Sequence, residues 1–85
     1  MIRWHVYLLR CADGSLYAGI TNGLAGRVDA HNAGKGAKYT RSRLPVALVW
    51  SRAMRSATAV RKKEAAVKKM TRAEKEGLVA GVRLR

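Results

Sequence analysis

The 85 residues predict an α+β domain, a small three-stranded and mainly antiparallel sheet flanked by helices, in the order β-β-α-β-α-α. Two apolar, aromatic-containing runs lie between Trp4 and Thr21 and flank Asp13-Gly14, a hairpin-turn dipeptide. Pro45 opens a third apolar run, Val46 to Trp50. The stretches in between and after keep apolar residues at helical spacing and begin or end on capping residues.

The length of the first turn decides which side chains meet. A two-residue Asp13-Gly14 loop pairs Tyr7 with Ile20 and sends Tyr7 and Tyr17 to opposite faces. A three-residue Ala12-Asp13-Gly14 loop, a type I turn with Gly14 left-handed in a bulge, pairs Leu9 with Tyr17 and Tyr7 with Gly19. Both phenols then share a face as diagonal neighbours, about 7–8 Å apart at the backbone. The sequence allows both registers, and only the second brings the two hydroxyls together.

Asn22 stands where an N-cap belongs, ahead of a helix over Leu24 to Asn32 that Gly34 closes. Gly34 to Arg43 is polar, basic and glycine-punctuated, which predicts an exposed loop. Pro45 suits the start or edge of a third strand, where a missing N–H is harmless. Ser56 or Thr58 caps a long helix running to Met70. Thr71-x-x-Glu74 is a capping-box pattern that starts a last helix reaching about Ala80. Residues 1–80 therefore form one domain, and 81–85 a loose basic tail.

A chain this short buries about 60–65% of its unfolded surface, so its core is modest. With no Phe, two Trp, three Tyr and the Val, Leu and Ile runs must supply that core. The single Cys11 excludes an internal disulfide and fits a reducing compartment. No run approaches the roughly 20 apolar residues of a membrane span, and the start carries no signal-peptide pattern. The expectation is a cytoplasmic protein.

Eighteen Lys and Arg against five Asp and Glu leave a formal charge of +13. Self-repulsion on that scale calls for an anionic partner, nucleic acid first. Membrane-surface binding needs bulky apolar residues on an amphipathic helix, and the helical stretches here are Ala-rich.

Arg27 and His31 are four apart and share one helix face. That pair can hold a phosphate and move a proton near neutral pH, although an exposed basic pair has the same spacing. Glu64 is the one acid between Asp29 and Glu74, set among Arg61, Lys62, Lys63, Lys68 and Lys69. A lone carboxylate in a field of cations suits a hard divalent ion that also binds phosphate, and equally an ion pair with Lys68. Tyr7 and Tyr17 are core aromatics or hydroxyls ordered near a phosphate. Lys35, Lys38, Tyr39, Thr40, Arg41 and Arg43 combine cations with an aromatic, which suits single-stranded nucleic acid or a solvated loop. No Cys/His metal cluster, phosphate-binding glycine loop or Ser/His/Asp set is visible.

Together these residues resemble the GIY-YIG nuclease superfamily in its small stand-alone form. The carrying features are Val6-Tyr7-Leu8, then Tyr17-Ala18-Gly19-Ile20-Thr21, Arg27-x-x-x-His31, the segment His31 to Thr40, and Glu64. They span Trp4 to about Lys75, in order and at suitable spacing. The resemblance implies the GIY-YIG endonuclease fold and a phosphodiesterase that cuts DNA, single-stranded or duplex, with Mg²⁺ or Mn²⁺. The expected protein is a monomer without a small-molecule cofactor or membrane association. By the family pattern Tyr7 helps activate the attacking water, Tyr17 positions nucleophile or phosphate, and Arg27 stabilises the pentavalent transition state. His31 assists proton transfer and Glu64 anchors the metal. The alternative is a non-catalytic nucleic-acid-binding module on the same scaffold.

Overall fold

The loop between the first two strands has three residues. In the computed structural model, which describes residues 3–81, strands β1 (Trp4–Arg10) and β2 (Leu16–Thr21) pair with Leu9 opposite Tyr17 and Tyr7 opposite Gly19. The Gly14 amide donates to the Cys11 carbonyl and the Cys11 amide to the Ser15 carbonyl, each at 2.9 Å. Gly14 has φ +86°, a left-handed conformation that glycine adopts without steric cost. Of the two registers the sequence allows, the fold takes the one that puts Tyr7 and Tyr17 on one face.

Strand β3 (Ala47–Met54) pairs antiparallel with β1, giving the sheet order β2-β1-β3. It begins just past Pro45, as expected, but runs beyond Trp50 to Met54. As the central strand, β1 is covered on both faces, so Val6, Tyr7, Leu8 and Leu9 are all buried. That explains a continuous apolar run where a half-exposed strand would alternate.

Four helices flank the sheet: α1 (Leu24–Asn32), α2 (Lys38–Arg41), α3 (Ala57–Lys68) and α4 (Arg72–Val79). On one side Val6, Leu8 and Ala18 meet Val60 and Val67 of α3, with Leu78 and Val79 of α4 at the margin. On the other, Tyr7, Leu9, Cys11 and Val46 pack with Leu24 and Val28 of α1. Ser56, not Thr58, caps α3, and Thr71 with Glu74 forms the complete capping box of α4.

Two expectations are corrected and one is borne out. The N-cap of α1 is Gly23, not Asn22, because the Thr21 hydroxyl one residue earlier already accepts the Gly23 amide at 3.0 Å. Gly34 closes the helix as expected: at φ +77° it follows the cap residue Ala33, its amide reaches the His31 carbonyl, and that of Lys35 reaches Ala30, a Schellman ending. The stretch Gly34 to Arg43, read as loop throughout, contains the short helix α2, too short for periodicity to reveal. Of the basic tail expected at 81–85, residues 82–85 lie outside the described residues.

Helix α4 is tied to the hairpin by a bidentate pair, with Arg10 donating to both Glu76 carboxylate oxygens at 2.5 and 2.6 Å. Arg10 and Arg72 both donate to the Gly14 carbonyl as well. The Arg10 pair first, with the Arg72 charge adding to it, holds the Glu76 carboxyl below its usual range, so it binds fewer protons folded than unfolded. The stability it contributes is present above the unfolded pKa of about 4.3 and is lost as pH falls through the lower folded value. Asp13, held down by Ser15 and Arg43, acts in the same window. Thermal melts at graded pH are expected to show acid lability below about pH 4.5, and Glu76→Gln to remove part of it by lowering the plateau above that pH.

Candidate active site

Edge strand β2 carries the site. A cleft of about 260 Å³ opens beside Gly19 and Ile20 and is lined by Tyr7, Tyr17, Arg27, His31, Gly36, Ala37 and Glu64. Tyr7 and Tyr17 arrive on one sheet face through the three-residue turn. Arg27 and His31 come from α1, the former exposed and the latter 2% exposed. Glu64 comes from α3, the helix that covers the opposite face, so the two layers meet over the sheet edge. All five residues singled out for catalysis thus line one concavity.

The buried end of the cleft is a hydrogen-bonded chain. The Tyr7 hydroxyl lies 3.0 Å from His31 Nε2, and His31 Nδ1 lies 2.8 Å from Thr40 Oγ1. Thr40 Oγ1 in turn is 3.0 Å from the Ala37 carbonyl oxygen. The imidazole also stands edge-on to Tyr7 and Tyr17, with ring centroids 6.1 and 5.4 Å apart.

Burial pushes the Tyr7 phenol up to about 12; Tyr17 and Glu64 add to the rise and Arg27 opposes it. Burial first, and the Arg27 charge second, hold His31 below the usual imidazole value. At neutral pH the phenol is protonated and the imidazole is neutral, so this pair can pass a proton but holds no phenolate.

Two glycines leave room for these rings. A Cβ on Gly19 would sit 2.5 Å from the Tyr7 hydroxyl oxygen, and one on Gly36 would enter the His31 imidazole. Gly26, inside α1, has nothing within 4 Å. Gly19→Ala and Gly36→Ala are expected to cost about 1–3 kcal/mol in denaturant melts and to impair any activity of the site. Gly26→Ala is expected to add about 0.5–1 kcal/mol and leave the site intact.

The residues assigned to nucleic acid separate into two groups. Lys35, Lys38 and Arg41 are exposed. Lys38, Tyr39, Arg41, Ser42 and Arg43 border a shallow concavity next to the cleft. Thr40 is 0% exposed and faces His31, so it is corrected from a surface contact to a buried partner of the imidazole. Tyr39 lies nearly parallel to Tyr17, 6.0 Å between centroids, and carries the Arg43 guanidinium 3.9 Å from its ring centre. Arg43 is tied to Asp13 at 3.0 Å and to the Tyr39 carbonyl at 2.9 Å. The aromatic expected to stack on bases is thus already engaged within the protein.

In the sequence Asn32 is marked only as a helix end. Its amide pairs with both backbone groups of Val46, at 3.0 and 2.8 Å, fastening the end of α1 to the start of β3. An asparagine closing a helix before a glycine gives no hint of a partner in another element.

Among the described residues no three His, Cys, Asp or Glu side chains gather as a metal-binding group. Glu64 is the one carboxylate lining the cleft, and its second oxygen pairs with Lys68 at 3.2 Å. No helix among the described residues is long and apolar enough to cross a membrane.

Fold and cleft together define a GIY-YIG catalytic domain, and the chain belongs to that family: residues 3–77 match its model. Within it, its relatives include UPF0213 proteins. The chain is 47% identical over 77 residues to one from Desulfotalea psychrophila, covering 89% of this chain and 70% of that one. It is 49% identical to one from Natronomonas pharaonis, covering 89% of each. The solution structure of a UPF0213 protein from Bacillus halodurans superposes with a TM-score of 0.61 at 43% identity, covering 93% of this chain and 84% of that one. The solution structure of the protein EF2693 from E. faecalis superposes with a TM-score of 0.65 at 37% identity, covering 95% of this chain and 86% of that one.

Proposed function

We propose that this protein is a divalent-metal-dependent endonuclease that hydrolyses DNA phosphodiester bonds. The observation that supports it most is that the phenols, guanidinium, imidazole and carboxylate of the family motifs line a single cleft on a chain of charge +13. The donor set fits a hard cation that keeps most of its water, because Mg²⁺ or Mn²⁺ of that kind needs only one or two protein oxygens. Glu64 would hold it, and when bound the ion would lower the pKa of a coordinated water and neutralise charge on the phosphate.

This chain's own residues then do the following. The attacking water gives a proton to the Tyr7 oxygen as its own oxygen bonds to phosphorus. Tyr7 passes its proton to His31 Nε2, which becomes imidazolium. The bond from phosphorus to the leaving sugar oxygen breaks, and that oxygen takes a proton from solvent. Arg27, exposed at the mouth, pairs with the non-bridging oxygens as charge builds on them. Tyr17 donates from its hydroxyl to the phosphate or the nucleophile. Lys35, Lys38 and Arg41 hold flanking phosphates, and their exposed side chains on and just before α2 suit single-stranded or structured DNA.

A non-catalytic nucleic-acid-binding module is the second reading, favoured by the Lys68 ammonium that already neutralises Glu64. Labelled single-stranded and duplex DNA incubated with Mg²⁺ or Mn²⁺ separates the two. Cleavage by the wild type that Glu64→Gln lacks is the expected result. DNA binding without cleavage under either metal would establish the binding module instead.

A further inference from the structure

The cleft has a back wall to which the nuclease reading gives no role. Thr40, on the short helix α2, has no exposed surface, and its hydroxyl stands between two acceptor-capable atoms. One is His31 Nδ1 at 2.8 Å and the other the Ala37 carbonyl oxygen at 3.0 Å. Both contacts are short enough to need a proton between the heavy atoms. The hydroxyl has one proton, the carbonyl none, so the second must come from the imidazole. The arrangement that places one proton in each of the two short contacts is Nδ1–H donating to Thr40 Oγ1 and Oγ1–H donating to the Ala37 carbonyl. His31 Nε2 is then a bare lone pair facing the Tyr7 hydroxyl. The Ala37 amide, 3.4 Å from Nδ1, competes weakly for the same nitrogen from the far end of the hydrogen-bond range.

We propose that Thr40 is a positioning residue, whose buried hydroxyl holds His31 as the Nδ1–H tautomer with Nε2 open to receive the Tyr7 proton. It never touches substrate. The Gly34 to Ala37 turn forms the rest of the wall: the absent Gly36 Cβ leaves space for the imidazole, and the Ala37 carbonyl takes the last proton. Without the Thr40 hydroxyl, Nδ1–H has no acceptor in this wall, whereas the Ala37 amide becomes its one neighbouring donor. The proton is then expected on Nε2, where it points at Tyr7 and blocks the transfer. This inference rests on the nuclease reading for its consequence in catalysis but not for its tautomer.

Long-range ¹H–¹⁵N correlation spectra of the metal-free protein read the tautomer directly, since the two ring nitrogens resonate apart according to which bears the proton. The wild type is expected to show Nδ1 protonated and Nε2 bare. Thr40→Val, close in shape but without the hydroxyl, is expected to reverse the pattern, and Thr40→Ser to restore it. In the cleavage assay Thr40→Val is expected to lose about 10²–10⁴-fold in rate, the range that a general base supplies, and Thr40→Ser to recover most of it. A wild type with Nε2 protonated, or a Thr40→Val that keeps the proton on Nδ1, overturns the assignment. If Thr40→Val fails to fold, the wild-type and Thr40→Ser spectra still decide. If the wild type cleaves no DNA but shows the Nδ1–H tautomer with the expected reversal, the nuclease reading fails and the role of Thr40 stands.

Discussion

Glu64→Gln is expected to abolish metal-dependent cleavage while DNA binding stays intact. Glu64 is the sole carboxylate lining the cleft, so the change removes the charged oxygen from the only protein group there suited to a hard cation. The electrostatic work of such an ion is several kcal/mol, so the rate is expected to fall about a thousandfold or more. The amide keeps the shape of the side chain. The ion pair it breaks, with a Lys68 that is 55% exposed, is worth at most a few tenths of a kcal/mol. Melting temperature should therefore hold, and DNA affinity at a given salt concentration should hold or rise slightly, since one negative charge is gone. A variant that cleaves like the wild type would remove Glu64 from the mechanism.

The second large effect concerns Tyr7 and His31 as a unit. Tyr7→Phe leaves His31 Nε2 without the hydroxyl 3.0 Å away, and His31→Ala leaves that hydroxyl without its acceptor. Each single change is expected to slow cleavage by about 10²–10⁴-fold. If they form one relay, the double variant loses no more than the worse single one. Losses that multiply would mean two independent roles. Because burial raises the Tyr7 phenol to about 12, no phenolate titrates in the working range. The imidazole, faced by Tyr7, Tyr17, Arg27 and Glu64 across the cleft, is already neutral at pH 7. Rate is therefore expected to fall in acid, as His31 takes a proton, and to stay level from about pH 7 upward. A rate that kept climbing toward pH 10 would point to a phenolate base.

Much of this arrangement was legible in the chain. Local chemistry carries its own marks: Asp13-Gly14 for a hairpin, Thr71 and Glu74 for a capping box, Pro45 for a strand boundary. The central place of β1 is written in its unbroken apolar run, because a strand covered on both faces has no polar alternation. The five cleft residues are legible because each type has a chemistry of its own and their order matches a family.

Three things waited for the tertiary structure. The hairpin register turned on one residue of loop length, and shifting a strand by one residue exchanges its two faces, so the sequence left Tyr7 and Tyr17 either together or apart. The inward turn of Thr40 and the engagement of Tyr39 depend on α2, a single turn whose burial comes from α1 and β2 and not from its own pattern. The roles of Gly19 and Gly36 are spaces, set by the rings of Tyr7 and His31 that approach from other elements. The sequence by itself determined every element but α2 and which side chains are candidates for chemistry, since propensity, capping and hydrophobic pattern act between near neighbours. Only the tertiary structure decided how those side chains are partnered and in which protonation state, because burial and hydrogen-bond geometry depend on residues distant in the chain.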